Sequence, residues 1–154
     1  MDLLDELKSL ITKLDEEQID YALCGGLAMA VYALPRATLD IDIMIEADFL
    51  DKTKRVVQDI GFTLSGMPME FHGGKVHIHR LNKIDASSGE SLVLDLLIVT
   101  PVTQQAWGSR VKVEWEGGTL SVVSPEGLIS LKSIRRSGQD QDDIQYLRSI
   151  IDED

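Results

Sequence analysis

Apolar residues open the chain at helical spacing. Leu3, Leu4, Leu7, Leu10, Ile11 and Leu14 fall three and four apart, which predicts an amphipathic helix over 3–14. Residues 20–24 (Asp-Tyr-Ala-Leu-Cys) read as a short buried strand, broken by Gly25-Gly26. A helix is expected over 27–34, stopped by Pro35. Over 38–46 the pattern changes to alternation. Leu39, Ile41, Ile43 and Ile45 share one face, and Thr38, Asp40, Asp42 and Met44 the other, as on a strand.

The second half is read in the same way. A helix is expected at about 48–60, closing at Gly61, with strands near 62–65 and 75–81. The run 92–99 (Leu-Val-Leu-Asp-Leu-Leu-Ile-Val) predicts a strand buried on both faces. Pro101 is expected to open a short helix, and 110–115 and 119–123 to form a hairpin around Glu116-Gly117-Gly118. Ser124-Pro125-Glu126 reads as a helix start, with Ser as cap and Pro in the first turn. Ser137-Gly138 breaks that helix, and a last one spans about 140–151. The order predicts an α+β fold, a mixed sheet flanked by helices with C-terminal helices. No repeat or long linker interrupts it, so one domain is expected over 1–154: a sheet core with N-terminal helices over 1–123 and a helical pair over 124–151.

Composition narrows the function classes. The net charge of −11 argues against broad contact with nucleic-acid phosphates, so nonspecific DNA binding is not expected. It leaves a nucleotide ligand open, because Mg²⁺ can bridge carboxylates to phosphates. No apolar run approaches the roughly 18–20 residues that span a bilayer. The acidic start Met1-Asp2-Leu3-Leu4-Asp5-Glu6 does not read as a signal peptide. Cys24 is the only cysteine, which excludes an intramolecular disulfide and suits a reducing compartment. Cytoplasmic location without membrane association is therefore expected.

Asp40 and Asp42 stand two apart on a strand, so their carboxylates point to one side. Such a pair either decorates a solvated strand face or shares a divalent cation that removes its repulsion. Asp95 lies inside an apolar run, where an ionised carboxylate needs an arginine, backbone donors or a metal. Three carboxylates on two strands are what two-metal phosphoryl transfer uses. Gly25-Gly26, between a strand and a helix, is either a plain tight turn or a place where backbone approaches a phosphate.

Lys132, Arg135 and Arg136 place positive charge on one helix face, either solvated or clamping a phosphate, with Asp140 and Asp143 able to pair with them. Arg36, just before the Asp pair, suits a phosphate or a carboxylate equally. His77 and His79 share a strand face near His72, but no Cys or acidic cluster completes a zinc tetrahedron, so a structural reading is preferred. Cys24 reads as apolar packing.

Gly25-Gly26-Leu27-Ala28, then Leu34-Pro35-Arg36-Ala37-Thr38-Leu39-Asp40-Ile41-Asp42-Ile43, resemble the minimal nucleotidyltransferase superfamily of the DNA polymerase beta-like fold. The likeness is stronger to its bacterial stand-alone branch related to abortive-infection toxins. Asp95 matches the third acidic position. Pro125-Glu126-Gly127-Leu128-Ile129, Lys132, Arg136, Asp140 and Asp143 extend the resemblance.

The resemblance implies Mg²⁺- or Mn²⁺-dependent transfer of a nucleoside monophosphate from a nucleoside triphosphate to a hydroxyl on an RNA end, a protein or a small molecule. Asp40 and Asp42 would hold both metals. Asp95 would ligate the catalytic metal and help deprotonate the acceptor. Gly25 and Gly26 would cradle the triphosphate, with Arg36, Lys132 and Arg136 binding nucleotide. Many active members carry Ser where Gly26 stands. That departure keeps a second expectation alive: a non-catalytic binding or regulatory relative with a cognate protein partner, as in a toxin–antitoxin pair. A metal-dependent nuclease also uses carboxylates, but the glycine turn before the Asp pair disfavours it.

Overall fold

The computed structural model describes residues 2–32, 40–71, 73–135 and 138–152, with the side chains of 135, 138–143 and 152 outside the description. The first helix, α1 (Leu3–Glu16), is capped by Asp2, whose carboxylate accepts from the Leu4 and Asp5 N–H groups at 2.9 and 3.2 Å. It buries Leu7, Leu10, Ile11 and Leu14, the apolar stripe of the sequence. Then come β1 (Ala22–Cys24), α2 (Gly25–Val31), β2 (Asp40–Ile45), a 3₁₀ turn and α3 (Leu50–Gln58). The strands β3 (Leu64–Ser65), β4 (Met69–Phe71), β5 (Val76–Ile84) and β6 (Ser91–Ile98) follow. After α4 (Gln104–Gly108) the chain makes β7 (Val111–Trp115) and β8 (Gly118–Val122), then α5 (Pro125–Arg135) and α6 (Gly138–Asp152).

One mixed sheet has the order β3-β5-β6-β2-β1-β8-β7, with β4 also paired to β5. β2 runs parallel to β6 and β1 parallel to β8; the other pairs are antiparallel. Ile41, Leu94 and Leu81 lie side by side across three strands, all fully buried. Their face meets α1 and α3: Lys83, on the same side of β5 as Leu81, reaches Glu6 of α1 at 2.7 Å. α3 is tied to α1 by Lys52, which donates to the Glu17 carbonyl at 2.8 Å. Leu, Ile and Val dominate this core, as the scarcity of aromatics requires.

The α+β expectation and the mixed sheet are found as read. Several bounds differ. The strand near 62–65 keeps only Leu64–Ser65, because Phe62 turns inward, is fully buried, and its N–H closes on the Val57 carbonyl at 3.1 Å after Gly61 at φ +104°. β4 is an added strand, folded onto β5 through Gly73 and Gly74, both at positive φ. The short helix begins at Gln104 rather than Pro101, since Thr103 first closes a turn on Thr100, accepting its N–H through Oγ1 at 2.8 Å. Only one face of β6 is fully buried. Val93 and Leu97 on the other are partly open, because a pocket lies against that side. Pro35, the expected helix stop, lies outside the described residues.

The second helical layer is anchored by polar groups. Ser124 caps α5 as expected, its hydroxyl accepting from the Gly127 N–H at 3.0 Å. Tyr32 at the end of α2 donates to the Val123 carbonyl at 3.0 Å, and Tyr146 of α6 donates to the Tyr32 carbonyl at 3.2 Å. Tyr21 Oη accepts from the Ser121 N–H at 3.1 Å. Burial pushes the phenols of Tyr21 and Tyr32 up to about 12. Above pH 10 the unfolded chain loses these protons first, so stability should be complete below pH 10 and fall between pH 10 and 12. Urea midpoints measured across that window should fall, and Tyr21→Phe should flatten the fall.

Candidate active site

β1 ends at Cys24 and hands the chain directly to α2 through Gly25, whose φ is +68°. Glycine is required there twice over. L-residues avoid that backbone conformation, and an added Cβ would overlap Asp42 Oδ2 and stand 2.7 Å from Asp42 Cγ. The pairing of Cys24 with Asp42 across β1 and β2 produces this contact. Gly26 follows in the first turn of α2.

Asp42 and Asp95 are direct neighbours across the parallel β2–β6 pair, and Asp40 stands one side-chain step along the same face, opposite Val93. Asp95 is 7% exposed. Its carboxylate is held at both oxygens by Arg80, from Nε at 2.8 Å and Nη2 at 2.9 Å. Arg80 sits opposite Asp95 on β5. This fork-to-fork pair raises the guanidinium pKa, first through the Asp95 hydrogen bond and charge, and further through Asp40 and Asp42. All three carboxylates therefore act on one cation.

Lys132 of α5 is 7% exposed, so this lysine does not stand on a solvated helix face; the Arg135 side chain lies outside the described residues. Lys132 lines the same open pocket of about 460 Å³ as Gly25, Asp42, Asp95 and Arg80. Cys24 lies there too. Burial, then the charge of Asp42, pushes its thiol well up, with Lys132 opposing, so it stays a protonated packing group. The expected site residues Gly25, Asp42, Asp95 and Lys132 are thus gathered in one place, with Asp40 on the adjoining strand position and Gly26 next in α2. Arg36 and Arg136 lie outside the described residues, as do the side chains of Asp140 and Asp143.

The histidines lie apart. His77 and His79 are on the opposite face of β5 from Arg80; His77 Nδ1 is 3.3 Å from Glu70 Oε1. Partial burial, then Lys54 and His77, lowers the His79 pKa. His72 is outside the described residues.

Among the described residues no three His, Cys, Asp or Glu side chains already stand at metal-ligand spacing, and Arg80 occupies the Asp95 carboxylate. The donor set still fits a hard divalent cation: all oxygen, two carboxylates in register, and Asp42 Oδ2 reachable only because Gly25 lacks a side chain. Arg80 escaped the sequence reading. Its signal was the turn 85–90, where the Asp85 N–H donates to the Glu90 carbonyl, pairs Ile84 with Ser91, and so sets residue 80 against 95.

A family model, aminoglycoside-2''-adenylyltransferase, matches residues 6–130. Among solved structures, a candidate nucleotidyltransferase from Thermotoga maritima superposes with a TM-score of 0.63 at 17% identity, covering 98% of this chain and 93% of its own. The antibiotic-resistance factor ANT(2'')-Ia in solution gives 0.65 at 13% identity, covering 96% and 83%. The same factor in complex with adenylyl-2''-tobramycin gives 0.63 at 14%, covering 94% and 87%. At these identities the likeness establishes the nucleotidyltransferase fold. No curated protein matches the chain. Among the described residues no helix is long and apolar enough to cross a membrane.

Proposed function

Since the chain belongs to the aminoglycoside-2''-adenylyltransferase family, we propose that it transfers a nucleoside monophosphate from a nucleoside triphosphate to a hydroxyl group. The observation that carries this reading is the register of Asp42 beside Asp95, with Gly25 against Asp42 and Lys132 buried in the same pocket. Mg²⁺ or Mn²⁺ would be held by Asp40 and Asp42, joined by Asp95, and would supply charge neutralisation for the phosphates.

The chain's own residues have distinct tasks. Gly25 and Gly26 let the backbone come close to the triphosphate. Lys132 supplies a fixed cation to its oxygens at low water access. The acceptor oxygen attacks the α-phosphorus, the bond to pyrophosphate breaks, and Asp95 takes the acceptor proton. Arg80 is a positioning residue that fixes the Asp95 carboxylate plane through its paired hydrogen bonds.

Two measurements test this. Calorimetry with ATP, GTP, CTP and UTP should show binding of at least one that needs a divalent cation and is lost in Asp40→Asn. Pyrophosphate release should follow once an acceptor is present. A folded wild-type protein that binds none of the four would defeat the reading in favour of the non-catalytic relative. Lys132→Met, which keeps the buried stem, should weaken triphosphate binding by about 10–100-fold and leave the melting temperature within a few degrees. Equal affinity in that variant would remove Lys132 from the site.

A further inference from the structure

A row of three charged side chains crosses the sheet. Asp42 on β2 stands beside Asp95 on β6, and Asp95 stands beside Arg80 on β5. Neighbouring strands are about 4.8 Å apart, so Arg80 is one spacing from Asp95 but on the order of 10 Å from β2. The two ends of the row therefore differ. An ion held by Asp40 and Asp42, which share β2, stays clear of the guanidinium. An ion shared by Asp42 and Asp95 does not.

Asp95 is already engaged. It is buried, and both its oxygens accept from Arg80, at 2.8 and 2.9 Å. Both contacts are charge-assisted. On one side of the pair Ile78 faces Leu97, and Met69 and Phe71 of β4 continue an apolar far wall of the pocket. Low polarity beside an ion pair strengthens it. A second divalent ion at Asp95 has to break this pair or sit beside a fixed positive charge.

The guanidinium also offers what that ion would supply. Asp95 takes two of its five N–H groups. The Arg80 side chain is 43% exposed and lines the pocket, which leaves its other donors for phosphate oxygens. A triphosphate with one divalent ion bound is still an anion, and Arg80 and Lys132 bring positive charge to the pocket from β5 and α5. We propose that the site works with one divalent cation, on Asp40 and Asp42, and that Arg80 takes the place of a second at Asp95. The proposal rests on the transferase reading above and narrows it: Asp95 serves the acceptor, not an ion. The transfer keeps its balance. The acceptor oxygen bonds to the α-phosphorus, pyrophosphate leaves, and the acceptor proton goes to an Asp95 lone pair outside the Arg80 contact.

The test counts ions. Mn²⁺ is titrated into the protein with the α,β-methylene analogues of ATP, GTP, CTP and UTP in turn, which cannot lose pyrophosphate. Bound ions are counted by electron paramagnetic resonance. The wild-type protein should bind one ion per nucleotide. Arg80→Gln, which removes the charge and opens Asp95, should bind two, with the spin coupling of ions roughly 3.5–4 Å apart. Arg80→Met keeps the stem of this half-exposed side chain and serves if Arg80→Gln fails to fold. Two coupled ions in the wild-type protein would overturn the proposal. One ion in the wild-type protein and in the variants alike would also overturn it, since Arg80 would then exclude nothing. A folded wild-type protein that binds neither nucleotide nor Mn²⁺ would instead defeat the transferase reading, and this proposal with it.

Discussion

Asp42→Asn is expected to lower nucleotidyl transfer by about 10³-fold, roughly 4 kcal/mol at the transition state, while the protein stays folded. Asn keeps the size of the side chain that rests against Gly25, so packing there is preserved. The change removes one of two carboxylates that stand side by side on β2 and β6. The lost charge is repelled by Asp95 but also acts on Arg80, so the two effects oppose and the melting temperature should stay within a few degrees. Pyrophosphate release and a thermal melt on the same preparation check both halves. Retained activity would detach Asp42 from the chemistry; an unfolded variant would make its role structural. Asp95→Asn differs in kind, because it also leaves Arg80 without the carboxylate it grips at both oxygens.

Gly25→Ala should cost about 3 kcal/mol of stability and abolish nucleotide binding. Left-handed backbone costs an ordinary residue roughly 1–2 kcal/mol, and overpacking against a fixed neighbour adds about 1–3 kcal/mol. The neighbour is the Asp42 carboxylate, so any relaxation moves the very group that faces the nucleotide. Urea unfolding gives the first quantity and calorimetry the second. A variant as stable as the parent would mean that the β1–α2 turn relaxes freely, and would weaken its reading as a rigid phosphate cradle.

Local patterns were legible because each depends on a few neighbouring residues. The stripe of α1, the alternation of β2, the Ser124 cap and the glycine hairpin of β7 and β8 all lie where periodicity and turn chemistry put them. The losses were at short or irregular pieces. Met69–Phe71 is too brief to carry a period, and the 62–65 strand was shortened because Phe62 was drawn into the core. Lys132 was ambiguous on a helical wheel, since a wheel does not say what the helix packs against. The resemblance located Asp40, Asp42 and Asp95, but their separation in sequence says nothing of their separation in space.

By itself, then, the sequence determined the α+β class, most of the elements and the carboxylates and glycines that the nucleotidyltransferase resemblance singles out. Those follow from spacing along one chain, which backbone geometry converts directly into faces and turns. The tertiary structure alone decided that Asp42 pairs with Asp95, that Arg80 grips Asp95, that Lys132 is buried beside them, and that the far wall of the pocket is apolar. Each of these joins residues on different elements. Strand order and register set such meetings, and they come from the burial of Ile41, Leu81 and Leu94 against α1 and α3 on the opposite side of the sheet.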